Sequence, residues 1–304
     1  MLQRRAMSKI NLEAILNDKH SGSVDITNYM LELYQNVLKE GIAQKTSGEE
    51  LYEHLQNISK NLNKKQPNMA LLRRLSNIYL LYFKRLLNSD KSQDEILTLL
   101  TNKIALLKEE MKNNAEKIAQ LGSRIIANNN KIMTISQSRH IVNILLAAKQ
   151  ARRHFEVFCL KSHPPDEGIE MAEFLASKGI KVTVIPDNNM GVFMPEMNLV
   201  LIGADRIYEK GIINKAGTLS LCLTAQHFNI PVYLAAETGK ILLESERTIK
   251  KSIAPPEEVY KGKHKGLSVQ NIYFEKIPLD LIHKIICENS AFESYEFKNW
   301  YMGG

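Results

Sequence analysis

The sequence predicts an α/β chain in which an all-helical N-terminal domain, residues 1–127, precedes a parallel-sheet domain, residues 128–304. Three observations carry that expectation. From the N-terminus to about Arg124, apolar residues recur at spacings of three and four, as in Met30, Leu33, Val37 and in Leu51, Leu55, Ile58, while strand-like runs are nearly absent. After the polar turn Asn128-Asn129-Asn130, short runs rich in Val and Ile alternate with amphipathic helical stretches, the pattern of βαβ units whose sheet is covered on both faces. The 304 residues, 44% of them apolar, are enough for about two domains.

In the helical half, Ser47 with Glu50 and Ser92 with Glu95 have the spacing of capping boxes, in which hydroxyl and carboxylate satisfy each other's backbone amides at a helix start. In the second half the candidate strands are Lys131–Ile135, Glu156–Leu160, Lys181–Ile185, Leu199–Ile202 and Val232–Ala236. Between them, Ile141, Ile144, Leu145 and Ala148, then Met171, Phe174 and Leu175, mark helices. The stretch from Gly211 to Thr218 is expected to open a further helix that runs through Ala225. This architecture is Rossmann-like, yet no GxGxxG follows any strand, so a dinucleotide site has no support and no cofactor is expected.

Composition removes several function classes. Cys159, Cys222 and Cys287 are far apart and lack zinc-ligand spacing, so neither a disulfide framework nor a metal site is indicated. The N-terminal residues carry early charges rather than a secretory pattern, and no segment approaches the roughly 20 apolar residues that span a bilayer. A cytoplasmic protein without membrane contact is expected. The net charge of +7 is spread over lysines interleaved with glutamates, as in LLKEEMKNNAEK, which reads as a solvated helix surface and not as a specific nucleic-acid stripe.

Ligands of such sheets bind beyond the carboxyl ends of the strands. There, Leu199–Ile202 runs into Gly203-Ala204-Asp205, and the following Asn214, Lys215, Gly217 and Thr218 combine a lysine, small residues and a helix start, a combination suited to phosphate. Asp205 would stand at the mouth of the same crevice and could exchange a proton; alternatively it closes a turn and Asn214 caps a helix.

The segments GADRIYEKGIINKAGT and NIPVYLAAETGKI, with KIMTISQSR, KGIKVTVIPDNNMGVFM and NIYFEKIPLDLIHKII, resemble a signature shared by three groups. These are the translation initiation factor 2B alpha/beta/delta subunits, 5-methylthioribose-1-phosphate isomerase and ribose-1,5-bisphosphate isomerase. The resemblance covers residues 130–286 and extends more weakly into HSGSVDITNYMLELYQ and KKQPNMALLRRLSN. It implies that Asp205 matches the isomerases' proton-shuttling aspartate, while their catalytic cysteine falls on Ser136. Ser136 needs a neighbouring base to lose its proton. His140 would serve if it faced the crevice, although a surface position at a helix start is the expectation, and Ser136 itself could cap that helix.

The isomerases' Arg-Gly-Ala loop aligns with Ser21-Gly22-Ser23, their Arg-Pro-Thr with Gln66-Pro67-Asn68, and their Glu-Thr-Arg-Pro with Lys161-Ser162-His163-Pro164. Each replacement removes a bidentate phosphate contact. Gly22 and Ser23, Ser138 and Arg139, with Asn214, Lys215, Gly217, Thr218 and Lys240, remain as the implied ligand-binding set; Ser138-Arg139 resembles the initiation-factor subunits. Two readings follow. One is a regulatory subunit that binds a phosphorylated small molecule, a sugar phosphate or nucleotide, and assembles as a homodimer or higher oligomer or with a translation factor. The other is an aldose–ketose isomerase of a ribose 1-phosphate that uses Asp205 and Ser136. The apolar stretch Ile272–Ile286 is the expected dimer surface.

Overall fold

The computed structural model describes residues 10–18, 20–241 and 253–302. The described residues form two compact units that divide between Asn113 and Asn114, within a long helix.

The first unit is helical: α1 (Leu12–Leu16), α2 (Ser23–Gln44), α3 (Gly48–Lys65), α4 (Ala70–Leu87) and the greater part of α5 (Gln93–Ser123). The three-and-four spacing places Met30, Tyr34, Leu55, Tyr79 and Phe83 at full burial in one core. Both capping boxes form: Ser47 Oγ accepts from Glu50 N at 3.3 Å while Glu50 returns a carboxylate to Ser47 N at 3.2 Å, and Ser92 and Glu95 do the same at 3.4 and 2.8 Å. Gly22 precedes α2 as its N-cap without a side-chain bond, and Ser23 is buried at the helix start.

The second unit is α/β. Its elements are β1 (Asn130–Thr134), α6 (Arg139–Gln150), β2 (Phe155–Leu160), α7 (Glu167–Ser177), β3 (Lys181–Ile185), α8 (Met190–Phe193), β4 (Leu199–Ile202), β5 (Arg206–Tyr208) and β6 (Gly211–Lys215). They continue with α9 (Thr218–His227), β7 (Val232–Ala235), β8 (Phe274–Pro278), β9 (Lys284–Ile286), β10 (Ala291–Glu293) and α10 (Ser294–Met302). Among the described residues a seven-stranded sheet runs β10-β9-β7-β4-β1-β2-β3, parallel except for β10. Met133, Phe158, Val200 and Leu234 fill one apolar cluster and Ile132, Val157, Leu201 and Ala235 the other, as expected when successive side chains point to opposite, equally covered faces.

Strand order reverses at β1: the chain moves to β2 and β3 on one side and to β4, β7 and β9 on the other. Crossovers on opposite faces leave a gap beyond the carboxyl ends of β1 and β4, the switch point where ligands of such sheets bind. The five expected strands occur within one residue of their predicted bounds, but β9 and β10 extend the sheet beyond them.

The stretch from Gly211 is not a helix start. Gly211–Lys215 is β6, the centre of a separate antiparallel sheet ordered β5-β6-β8, and the helix begins at Thr218. The run Gly-Ile-Ile-Asn-Lys is short enough that helix and strand share its apolar pattern; pairing with β8 decides for strand. Four of the isoleucines in Ile272–Ile286, Ile277, Ile282, Ile285 and Ile286, are buried within this unit, which removes them as a dimer surface. The large apolar side chains left exposed nearby are Ile253, Val259, Tyr260, Leu267 and Ile272.

β8 also fixes α9. Glu275 Oε1 accepts from Gly217 N and Leu219 N, each at 2.8 Å, so a carboxylate on the neighbouring strand satisfies amides at the positive end of the helix. Glu275→Ala should lower the unfolding free energy by about 2 kcal/mol, the cost of leaving amides of a charge-assisted bond unmet, and Glu275→Gln by less. Urea denaturation of the three proteins checks this.

Candidate functional site

Four of the segments singled out from sequence converge at the switch point. β1 ends at Thr134, and the chain turns through Ser136 at a φ of 63° before Ser138 N-caps α6. A left-handed φ at a non-glycine residue costs of order 1 kcal/mol or more and requires surrounding contacts to hold it. Here Ser136 N donates to Ser162 Oγ at 2.7 Å, and Ser136 Oγ donates to Glu167 Oε1 at 2.7 Å. Ser136 therefore does not cap the following helix. From β4, Gly203 approaches so closely that a Cβ there would lie 2.6 Å from Ser138 Oγ. Half-buried Asp205 follows, its amide donating to Ile213 O at 2.9 Å, which ties the β4 exit to β6 beside Asn214 and Lys215.

Lys215 is 5% exposed. Its ammonium lies 3.2 Å from Glu167 Oε1 and 3.3 Å from Oε2, donates to Pro164 O, and sits 4.7 Å from the centre of the Tyr273 ring. Glu167, the first residue of α7, is itself 5% exposed. Burial pushes its carboxyl above the ordinary glutamate range, outweighing the opposing pull of Lys215 and of the Ser136 hydroxyl. The result is a closed chain of polar contacts, Ser136 to Glu167 to Lys215, running from β1 through α7 to β6.

Asn214 does not cap a helix: on β6, its Nδ2 donates to Thr218 Oγ1 at 3.1 Å, and that hydroxyl donates to Lys215 O at 2.6 Å. Gly217 occupies a φ of 101°, a conformation that suits glycine, and its amide is taken by Glu275. Lys240 is 4% exposed and donates to Ala204 O at 2.7 Å. The expected set of Ser136, Ser138, Asp205, Asn214, Lys215 and Lys240 thus lies along one set of linked strand ends, with half-buried Arg139 in the first turn of α6. Gly22 and Ser23 belong to the helical unit.

His140 departs from expectation. It is 1% exposed, not at the surface, and its Nε2 lies 3.4 Å from Oε1 of Glu237, which is 2% exposed. The helical periodicity that buries Ile141 and Ile144 carries His140 inward too, and Glu237 from the β7 exit faces it.

Several residues escaped the sequence reading: Glu167, Asp187, Glu275, Glu237 and the fully buried Arg206. Asp187 accepts from Ser162 N at 2.7 Å and His163 N at 2.8 Å, and so holds the turn that replaces the isomerases' Glu-Thr-Arg-Pro. In the same turn Asp166 pairs with Lys161 at 3.0 Å and His163 at 2.6 Å; partial burial works against these bonds, but they keep its carboxyl below the usual range. Next to Glu167, Gly168 sits where a Cβ would lie 1.9 Å from Leu160 O, so the start of α7 is held close against the exit of β2. Among the described residues no group of three His, Cys, Asp or Glu side chains could hold a metal ion, and no helix is long and apolar enough to cross a membrane.

The family model described as the initiation factor 2 subunit family matches residues 19–294. The chain belongs to that family. It is 31% identical over 195 residues to a putative translation initiation factor eIF-2B subunit 2-like protein of Pyrococcus furiosus, covering 64% of this chain and 68% of that protein. It is also 31% identical over 182 residues to ribose 1,5-bisphosphate isomerase of Methanocaldococcus jannaschii, covering 57% of this chain and 58% of the relative. The crystal structure of the Pyrococcus horikoshii OT3 translation initiation factor eIF-2B shares the fold, with a TM-score of 0.77, 24% identity and coverage of 93% and 95% of the two chains. The family therefore includes both factor-like proteins and sugar-phosphate isomerases.

Lys215→Met leaves the Glu167 carboxylate buried without its counter-charge, for which the expected cost at about neutral pH is ~3 kcal/mol or more. The carboxyl's folded pKa already lies above its ordinary value and rises further in this variant. Its contribution to stability is therefore present at low pH and lost as pH rises through the folded value, so the deficit should shrink in acid. Denaturant unfolding of both proteins at about pH 5 and about pH 8 measures the difference.

Proposed function

We propose that this chain is a regulatory, initiation factor 2B-like protein that binds a phosphorylated small molecule at the β1/β4 switch point and does not isomerise sugar phosphates. The observation that carries the reading is the state of Ser136. In place of the isomerases' cysteine stands a hydroxyl that donates its proton to Glu167, which in turn holds Lys215. Aldose–ketose transfer moves a proton between adjacent carbons and needs a base of suitable pKa within about 3 Å of it. A hydroxyl in this setting is a hydrogen-bond donor and not such a base.

No other thiol substitutes. Cys159, Cys222 and Cys287 are all buried, and burial pushes the first two to about 12 and the third upward. Ligand binding draws on Ser138 and Arg139 at the start of α6, Asp205, and Lys215 once its ammonium turns from Glu167 to a phosphate. The ligand is a sugar phosphate or nucleotide, the functional assembly is a homodimer or higher oligomer, and a translation factor is the expected macromolecular partner. A second reading, isomerase, is favoured by the half-buried Asp205 beside the same strand ends.

Proton NMR of ribose 1,5-bisphosphate and methylthioribose 1-phosphate with the protein in deuterated water should show no isomerisation or solvent exchange. Turnover by the wild type that disappears in Asp205→Asn would overturn the regulatory reading. A thermal-shift panel of sugar phosphates and nucleotides tests ligand binding. A cognate ligand at about 100 times its Kd adds ~2.7 kcal/mol of stability, and the response should be lost in Lys215→Ala, judged against that variant's own baseline. An equal response in Lys215→Ala would place the ligand elsewhere.

A further inference from the structure

The ammonium of Lys215 donates to Pro164 O and lies beside the Glu167 carboxylate, which is itself 5% exposed. Two oxygens of Glu167 lie 3.2 and 3.3 Å from Nζ, so the carboxylate occupies the place beside the ammonium that an external oxyanion would need. We propose that Glu167 is a resident anion at the Lys215 site, and that an external phosphate or sulfate group binds there with uptake of one proton by Glu167. The proposal rests on the preceding reading that the ligand's phosphate contacts Lys215, and it adds how that contact is regulated.

The electrostatic argument is direct. A dianionic group brought against Lys215 meets the Glu167 carboxylate in a buried setting where like charges are poorly screened. Either the oxyanion is excluded or the carboxylate is neutralised. Protonation leaves Glu167 able to keep its bond with Ser136 Oγ, since a carboxylic acid still accepts through its carbonyl oxygen. It also frees the Lys215 ammonium from its strongest partner. Burial raises the Glu167 carboxyl above the ordinary glutamate range, which lowers the cost of that step.

The groups around Glu167 define the alternatives. From β6 comes Lys215, from the turn after β1 the uncharged Ser136, and from the segment before β8 Tyr273, whose hydroxyl is pushed upward by burial and its bond to Glu258 and stays neutral. On the turn before α7 stand Lys161, His163 and Asp166, and Asp187 reaches the same turn from the β3 exit. Asp166 is held ionised by Lys161 and His163. His163 is the imidazole of this group, and its replacement serves as the control.

Sulfate is the probe, because its charge stays fixed over the pH range while that of phosphate does not. Calorimetric titration of the full chain with sodium sulfate, at constant ionic strength and at about pH 5.5, 6.5 and 7.5, reads the affinity. Repeating each titration in two buffers of different ionisation enthalpy reads the protons taken up. In the wild type, affinity should rise as pH falls, by up to about tenfold per pH unit for one linked proton, with uptake approaching one proton per sulfate at the highest pH. Glu167→Gln should bind sulfate several-fold more tightly than wild type at about pH 7.5 and lose the slope; His163→Asn should keep it.

Affinity independent of pH in the wild type, a slope that survives in Glu167→Gln, or a slope abolished only by His163→Asn each overturns the proposal. If Glu167→Gln does not fold, wild-type calorimetry still decides, since zero proton uptake refutes the coupling. Failure of the underlying reading looks different. Sulfate binding that persists unchanged in Lys215→Met removes the anion from this site altogether, and isomerase turnover removes the regulatory function while leaving the proton linkage measurable.

Discussion

The ion pair between Glu167 and Lys215 is the contact around which the strand ends of the α/β unit are arranged. Both groups are almost wholly buried, and two opposite charges out of water are tolerable only when each supplies the other's counter-charge and the remaining lone pairs and protons are bonded. That condition dictates the neighbours. Ser136 gives its hydroxyl proton to one carboxylate oxygen, Pro164 gives its carbonyl to the ammonium, and the face of Tyr273 covers the ammonium's remaining side. Removal of any one of them leaves a charge short of partners in a low-dielectric setting.

The pair also joins the two sheets. Glu167 rides on α7, which follows β2 of the parallel sheet, whereas Lys215 ends β6 at the centre of the small antiparallel sheet. Three non-glycine residues with left-handed φ, Ser136, Ser162 and Asp166, cluster on the turns that deliver these side chains. Each costs energy that neighbouring contacts must offset: Ser162 Oγ accepts from Ser136 N, Asp187 takes the Ser162 and His163 amides, and Asp166 is pinned by Lys161 and His163. The strain is concentrated at the carboxyl ends of β1 and β2, next to the point where strand order reverses.

The parallel strands were legible because β-branched runs bounded by polar turns have few alternatives, and the helical unit because three-and-four periodicity sustained over tens of residues has none. β5, β6 and β8 were not. Their segments are short, and whether Gly211–Lys215 forms a strand or a helical turn depends on β8, which lies some sixty residues later in the chain. Glu275 illustrates the same limit: an acid in an alternating strand reads as a solvated side chain until that strand lies beside the start of α9. Its carboxylate then fills the amides that the sequence offered to a phosphate.

By itself, the sequence determined the chemistry available to this protein. It put Ser136 after the first sheet strand and Asp205 after a buried one, with Ser21 and Gln66 at the positions where the resemblance to the isomerases implies arginines, because residue identity sets which protons and charges a site can supply. Only the tertiary structure decided which of those groups are spoken for. Whether Lys215 faces a ligand or a carboxylate, and whether His140 faces water or Glu237, follows from the elements packed beside them, since a charge's partners are a property of three-dimensional proximity and desolvation and not of its neighbours along the chain.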